Sequence, residues 1–356
     1  MLDFAGLGLW LNLAIFAGAA ATVWMAGVQI THYARVISDR TGIGQAFIGV
    51  VLLGGVTSLP ELAVAVSASI AGDASLAVNS MLGGIAMQVA LLALADMLIG
   101  RQALTSVIPD PIVMLQGGFK ILLLSIVIAS IVVGDVPVLH SGLWMWALAA
   151  VTGLSLWVLS RAQHRKSWIA NDQHERQERE ESEASEETKE GGKSLSAAGW
   201  SAAATGAVII TAGYLLSRTA DAIAESTGLG QSFVGLVLVA IATSLPEAST
   251  VFTAARAGLY TMAMSDIFGT NLFDLSFLFF IDVAGGADAG MNSAGRFEAF
   301  AALIAITVTA IFFIGLVERR DRTILKMGYD SFAVLCVYLA GLVVLYFLRD
   351  PGSGGG

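Results

Sequence analysis

Two short stretches place a charge where the surrounding chain is otherwise apolar. GVTSLPELAV (Gly55 to Val64) and AIATSLPEAS (Ala240 to Ser249) each set a glutamate directly behind a proline. Proline lacks an N–H and crowds the carbonyl four residues back, so Pro60 and Pro246 are expected to free the carbonyls of Val56 and Ala242 from their helical partners. Irregular backbone at membrane depth is tolerated only where something else satisfies it, and a cation is the natural partner of a freed carbonyl. Glu61 follows Thr57 by four residues and Glu247 follows Thr243 by four, so each carboxylate shares a helix face with a hydroxyl. Ser58 and Ser244 add hydroxyls about 100° round the helix. Carboxylates, hydroxyls and carbonyls are hard oxygen donors. They suit Ca²⁺, which takes about 6 to 8 oxygens, and not zinc or copper.

The segment after each motif adds to the set. MSDIFGTNLFDLSF repeats Asp266, Thr270 and Asp274 every four residues, a polar stripe with Asn271 beside it. In the earlier copy, NSMLGGIAMQVALL puts Ser80, Gly84 and Gln88 at the matching places, a weaker stripe. An acid at mid-membrane costs at least about 2.5 to 3.5 kcal/mol on insertion scales, so Glu61, Glu247 and Asp274 are expected to act on ions. Hydrogen bonding of protonated glutamates to neighbouring helices explains neither the prolines nor the duplication. Asp266 reads either as a site residue or as a structural acid near a helix N-terminus. Met81, Met87, Met262 and Met264 read as packing residues, and Trp10, Trp24, Trp144, Trp168 and Trp200 as interfacial anchors. His32, His140, His164 and His174 are expected outside the spans, which leaves no histidine proton relay, and the lone Cys336 supports neither disulfide nor metal site.

The elements that must position these groups are membrane spans. The chain has 356 residues, of which 56% are hydrophobic and 13% charged. Its apolar runs of about 20 residues match the hydrocarbon layer. The runs predict ten helices, near Leu9 to Thr31, Gln45 to Ala71, Leu76 to Ile99, Gly118 to Val133, Ser141 to Ser160, Leu195 to Leu216, Ser232 to Ala257, Tyr260 to Val283, Phe297 to Val317 and Ser331 to Phe347. The first run has Asp3 and no basic residue before it, unlike a cleaved signal. TGIGQAFIGVVLLGGVTSLPE overlies TGLGQSFVGLVLVAIATSLPE without a gap at an offset of 186 residues (247 − 61). The fold class is therefore all-α: a polytopic membrane protein of ten transmembrane helices built as two five-helix repeats. With an odd number of spans each, the repeats are inverted and their motifs meet at the midplane. The expected organisation is a first repeat over 1–160, an acidic linker over 161–194, a second repeat over 195–350 and an appended GSGGG-bearing tail over 351–356.

The linker, with HERQEREESEASEETKEGG, is too charged to pack and lacks the spacing of an EF-hand loop. Of the 19 Lys and Arg, sixteen, Lys120 among them, fall on one side of this topology and only Arg218, Arg296 and Arg349 on the other. The bias predicts a cell-membrane protein with both termini extracytoplasmic and the linker cytoplasmic. No soluble segment is large enough for a nucleotide domain and no Walker-type loop occurs, which argues against an ATP-driven pump. No catalytic set, cofactor, nucleic acid or obligatory protein partner is expected; the partners are the bilayer and inorganic cations, with the chain a monomer or homodimer.

Two in-register TSLPE elements, ten spans and GTNLFD in the following helix resemble the calcium/cation antiporter superfamily, in particular its sodium/calcium exchanger branch. The resemblance implies helices two, three, seven and eight around a row of cation sites, with helices one and six sliding against them. It implies calcium ligands at Glu61, Glu247, Thr57 and Thr243 with the carbonyls of Gly54 and Ala240. It also implies sodium ligands at Ser58, Ser244, Thr270 and Asp274. Gly84 and Gln88 depart from the family pattern, and a glutamine near this level is similar to the proton-coupled branch. The expected function is thus secondary antiport of Ca²⁺, or a similar divalent cation, against Na⁺ or H⁺. A proton-coupled exchanger for Mg²⁺ or another metal is the alternative, and a cation channel or membrane sensor the more remote one.

Overall fold

The computed structural model describes residues 4–70, 74–99, 102–108, 110–162, 194–227, 241, 243–285, 291 and 294–348. The Ala240 and Ala242 carbonyls, most of the acidic linker with Trp168, His164 and His174, and the tail lie outside the described residues.

Helices dominate. In the first half they are α1 (Leu9–Thr41), α2 (Gln45–Thr57), α3 (Leu59–Ile70), α4 (Ala74–Ile99), α5 (Ile112–Val133) and α6 (Leu143–Ala162). In the second they are α7 (Leu195–Ser226), α8 (Leu245–Arg256), α9 (Tyr260–Gly285), α10 (Arg296–Glu318) and α11 (Tyr329–Leu348). Hairpins β1–β2 (Pro137–Val138, Ser141–Gly142) and β3–β4 (Thr323–Ile324, Met327–Gly328) precede α6 and α11. Among the described residues, eight helices are long and apolar enough to cross a bilayer, so the protein is a multi-pass membrane protein. Large apolar side chains facing outward, such as Trp10, Trp200, Val132 and Phe347, are what a lipid environment stabilises.

The second predicted span is not one continuous helix. A π-helical turn, Gly49–Gly54, lies within α2, and the chain breaks at Ser58 before α3 begins. Leu59–Ile70 and Leu245–Arg256 both open on Leu-Pro, so each proline occupies the first turn, where its missing N–H costs nothing. The proline therefore starts a helix here instead of kinking one.

Two other boundaries move with consequence. Asp110 accepts the Ile112 N–H at 3.0 Å and Pro111 sits at the N-cap, so α5 starts six residues before Gly118. That moves Lys120 from the first turn of a span, where it counted with the basic side of the topology, to the interior of one. Continuation of α1 to Thr41 likewise puts His32 within a helix, exposed on its surface.

The duplication extends through the secondary structure. Helices α7, α8, α9 and α11 begin at 195, 245, 260 and 329, each 186 residues (195 − 9) after α1, α3, α4 and α6. The hairpins agree to the residue: Pro137 pairs with Gly142, and Thr323 with Gly328. Their turns hold Leu139, His140, Leu325 and Lys326 at positive φ, as two-residue hairpin turns require.

These hairpins are gripped across the halves. Asp282, near the end of α9, accepts the Ser141 hydroxyl and the Gly142 N–H, both at 2.7 Å. Asp96, its counterpart on α4, accepts the Gly328 N–H at 2.6 Å and the Leu104 N–H at 2.8 Å. Reciprocal exchange of this kind is what a two-fold relation between the halves produces. A carboxylate at a helix C-terminus opposes the macrodipole, and the paired N–H and O–H donors offset that cost. Asp96→Asn turns an amide donor toward one of two backbone N–H groups, because Leu104 and Gly328 bond different oxygens. It is expected to cost about 1.5–3 kcal/mol, read as a lowered midpoint of thermal unfolding in detergent, whereas Asp282→Asn, whose two donors share Oδ2, can offer its amide oxygen to both and is expected to cost less.

Helix α9 is the centre of the molecule: 67% of its span is buried, against 28% for α1 and 22% for α11. It packs on α2, α3, α4, α5, α6 and α8, while α1 and α7 pair with each other at the periphery. Helix α1 touches α8, and α7 touches α3, so each outer helix crosses to the opposite motif.

Candidate functional site

Breaking the chain before each Leu-Pro puts Glu61 and Glu247 in the first turn of a helix. The partial positive charge of that terminus favours a carboxylate there. Both are buried, Glu247 completely and Glu61 to 6% exposure.

Helix α9 supplies the facing groups, and glycines let it come close. A Cβ on Gly269 would stand 2.5 Å from the Cα of Val50, and one on Gly54 would stand 2.7 Å from the Thr270 N. Only hydrogen at these positions lets the π-helical turn of α2 lie backbone to backbone on α9. Thr57 Oγ1 and Thr270 Oγ1 then stand 3.5 Å apart. The Thr57 hydroxyl donates to the Leu53 carbonyl at 3.1 Å, and the Gly54 carbonyl accepts the Ser58 N–H at 3.1 Å. Each oxygen keeps a lone pair for another donor or a cation.

Around this contact the acids gather. The Glu61 and Asp274 carboxyl groups meet within hydrogen-bonding reach, an arrangement that demands a proton or a cation between them. Glu247 lies in the field of Asp274 and Asp266, with Thr57 close by, and Glu61 in turn feels Glu247. Asp266 accepts a short hydrogen bond from Thr250 and is 0% exposed, which places it in the cluster and not at a solvated helix end. Asn271 donates to Gln88 Oε1 at 2.8 Å, and Gln88 Nε2 donates to Asp274 Oδ2 at 3.3 Å. Gln88 is thus a bridge between α4 and α9, engaged at both ends.

Several oxygens are left over. Asp266 Oδ1, Asp274 Oδ1 and the hydroxyls of Ser244 and Ser265 are buried without a hydrogen-bond partner, and the Ser58 hydroxyl and both Glu247 oxygens form no well-aligned hydrogen bond although Asp274 and Thr57 lie near them. Unpaired buried acceptors are expensive, and so many in one place describe a surface shaped for a positive ion. Thr243 is also buried, one turn before Glu247. Among the described residues no group of three or more acids, histidines or cysteines stands close enough to hold a metal ion by those side chains alone, although the four acids act on one another. The cluster draws much of its donor capacity from hydroxyls and amides instead.

Of the sequence-predicted residues, the structure brings together Thr57, Ser58, Glu61, Glu247, Asp266, Thr270, Asp274 and, through Gln88, Asn271. Ser244 lies at the N-cap of α8. Among the buried polar residues not singled out from sequence are Thr250, Ser265 and Lys120, on the helices that carry the cluster or pack against them. Thr250 sits in the middle of an already recognised motif helix, so its three-residue spacing from Glu247 was the available signal. Separately, a groove of about 570 Å³ between α1 and α7, lined by residues such as Ile15, Thr22, Val208 and Thr211, shares no residue with the cluster.

Comparison with known proteins decides the family. The sodium/calcium exchanger protein family matches residues 11–161 and 198–347, both halves of the chain. The chain belongs to that family. As an exchanger-family member it has curated relatives that include sodium/potassium/calcium exchanger 1 of Bos taurus, 29% identical over 143 residues, which are 38% of this chain and 11% of the relative. Sodium/potassium/calcium exchanger 2 of Rattus norvegicus is 30% identical over 143 residues, 38% of this chain and 21% of that protein. The matched segments thus span about a tenth to a fifth of these relatives' lengths. The family fold is shared with the solved sodium-calcium exchanger NCX_Mj, at a TM-score of 0.67 and 15% identity, over 94% of this chain and 99% of that one. A second structure of NCX_Mj, soaked with 2.5 mM Na⁺ and 0.1 mM Ca²⁺, gives 0.67 over 96% of this chain and 100% of the other. The family is one of membrane cation transporters.

Proposed function

We propose that the protein is a secondary active antiporter that moves Ca²⁺, or a similar divalent cation, against Na⁺ or H⁺ by alternating access. The observation that carries the reading is the proximity of Glu61 and Glu247, one from each half, with Asp274 acting on both and several buried acceptors near them left unpartnered. Acids, hydroxyls and amides in a low-dielectric cluster favour a hard cation. Family membership and the names of the relatives support the choice of ions.

The cluster's net negative charge gives the coupling rule. Empty and ionised, it would have to carry uncompensated charge through lipid, which is the forbidden step. Loaded with one divalent ion, or with monovalent cations or protons in its place, it can cross. Reciprocal packing of α1 on α8 and α7 on α3 supports sliding of the outer pair past the motif helices. The reciprocal hairpin clasps support inversion of the halves, and the Lys and Arg bias supports a cytoplasmic linker with both termini outside.

Radiolabelled Ca²⁺ flux in proteoliposomes, with sodium and proton gradients imposed separately, tests this. Uptake driven by either gradient, and absent without both, is the expected result. No Ca²⁺ movement under either gradient removes the reading. Movement of Mg²⁺ with protons alone selects the proton-coupled alternative, for which the engaged Gln88 at the Asp274 level is the favouring observation.

A further inference from the structure

The acidic cluster has a cationic neighbour that the ligand set does not use. Lys120 on α5 is 0% exposed and is the largest fully buried side chain among the described residues. Its Nζ has no hydrogen-bond partner and stands 5.6 Å from the centre of the Phe268 ring on α9. Gly117 seats α5 against that ring, where a Cβ would stand 3.2 Å from Phe268 Cε2. Asp274 is the carboxylate whose charge acts on Lys120, although among the described residues none closes a direct ion pair within 4.0 Å.

A lone ammonium in the interior of a membrane protein is among the costliest groups a fold can keep. Packing does not explain it, since leucine or methionine would fill the space without the charge. The aromatic face helps but does not neutralise. What lies across from it is a cluster of four acids, Glu61, Glu247, Asp266 and Asp274, that one divalent ion leaves two charges short of neutral. In its charged form, Lys120 supplies one of the two.

We propose that Lys120 is a tethered cation that offsets Asp274, takes the place of one transported monovalent ion, and so lowers by one the number of coupling ions exchanged per divalent ion. This rests on the reading of the cluster as a cation carrier, and it assigns a stoichiometry-setting role to a residue that does not touch the cargo.

The test has two parts. The first is a thermal-stability cycle in detergent, without divalent ions, on the parent, Lys120→Gln, Asp274→Asn and the double variant. It needs no transport and is independent of what the protein carries. Each single variant leaves one buried charge uncompensated, so the double variant is expected to melt closer to the parent than either. The second is the reversal potential of Ca²⁺ flux in proteoliposomes. Lys120→Gln is expected to raise the coupling-ion to Ca²⁺ ratio by one, and Lys120→Arg to keep the parent ratio. An additive cycle, a double variant no more stable than Lys120→Gln, or an unchanged ratio in Lys120→Gln overturns the proposal. A parent that moves no Ca²⁺ while the cycle shows coupling defeats the antiport reading and, with it, the stoichiometric role, and leaves only a charge pair.

Discussion

Glu247→Gln is expected to lower Ca²⁺ flux by at least about 100-fold, close to 2.7 kcal/mol, and at the same time to leave the protein as stable as the parent or more so in the absence of divalent ions. The two effects come from one fact. Both Glu247 oxygens are buried without a well-formed hydrogen-bond partner, so the helix terminus and the nearby Thr57 offset little of the cost of burying the carboxylate in the empty fold. An amide of the same shape removes that cost together with one of the charges that would hold the ion. Glu61→Gln is expected to lose flux equally and to gain less stability, because Glu61 already shares a contact with Asp274. Stabilisation of the parent by added Ca²⁺ follows mass action on a native-state site, and both variants should lose it. Flux in vesicles and melting with and without Ca²⁺ measure the pair of effects. A variant that loses flux by losing stability would point to a structural carboxylate instead.

Gly269→Ala should do more damage to the site than any other added methyl at a described glycine, because its approach to a backbone atom is the shortest among them. Its Cβ would stand 2.5 Å from the Val50 Cα, a backbone atom on the π-helical turn, so the two helices must separate. Gly54→Ala, at 2.7 Å from the Thr270 N, should act alike. Overpacking of this sort costs about 1–3 kcal/mol. The larger effect should be on transport, because separation pulls Thr57 from Thr270, now 3.5 Å apart, and with them the two sides of the cluster. A tenfold or greater loss of flux is expected from a substitution that removes no ligand. Gly118→Ala, on the exposed face of α5 with nothing within 4 Å of the added carbon, is the control and should be neutral or slightly stabilising. Equal behaviour of Gly269→Ala and Gly118→Ala would show that the close approach is not needed.

Much of this was legible in the residues. The Leu-Pro-Glu repeat at a fixed offset pointed to two equivalent carboxylates, and the stripe of Asp266, Thr270 and Asp274 pointed to the helix that faces them. Period and charge suffice for that, since a membrane leaves few reasons to keep an acid. The break at Ser58 was not legible, because a proline signals a disturbed helix but not whether it kinks one or opens a new one. The π-helical turn had no local signal either; it is stabilised by the contact of Gly49 and Gly54 with α9, far away in sequence. Lys120 was misplaced for a simpler reason. The Gly117-Gly118 pair reads as a boundary, whereas the helix starts earlier, at the Asp110-Pro111 cap, and uses Gly117 to approach Phe268. The cross-half grip of Asp96 and Asp282 depends on tertiary placement of two hairpins and could not be read from spacing alone.

Anomalous diffraction from crystals soaked in Ca²⁺ or Sr²⁺ asks the decisive question in one image. The account predicts a single strong divalent site with an oxygen of Glu61 and an oxygen of Glu247 both within about 2.3 to 2.6 Å of a bound Ca²⁺. An ion held by one of these glutamates alone, or found elsewhere while both remain without metal, would contradict it.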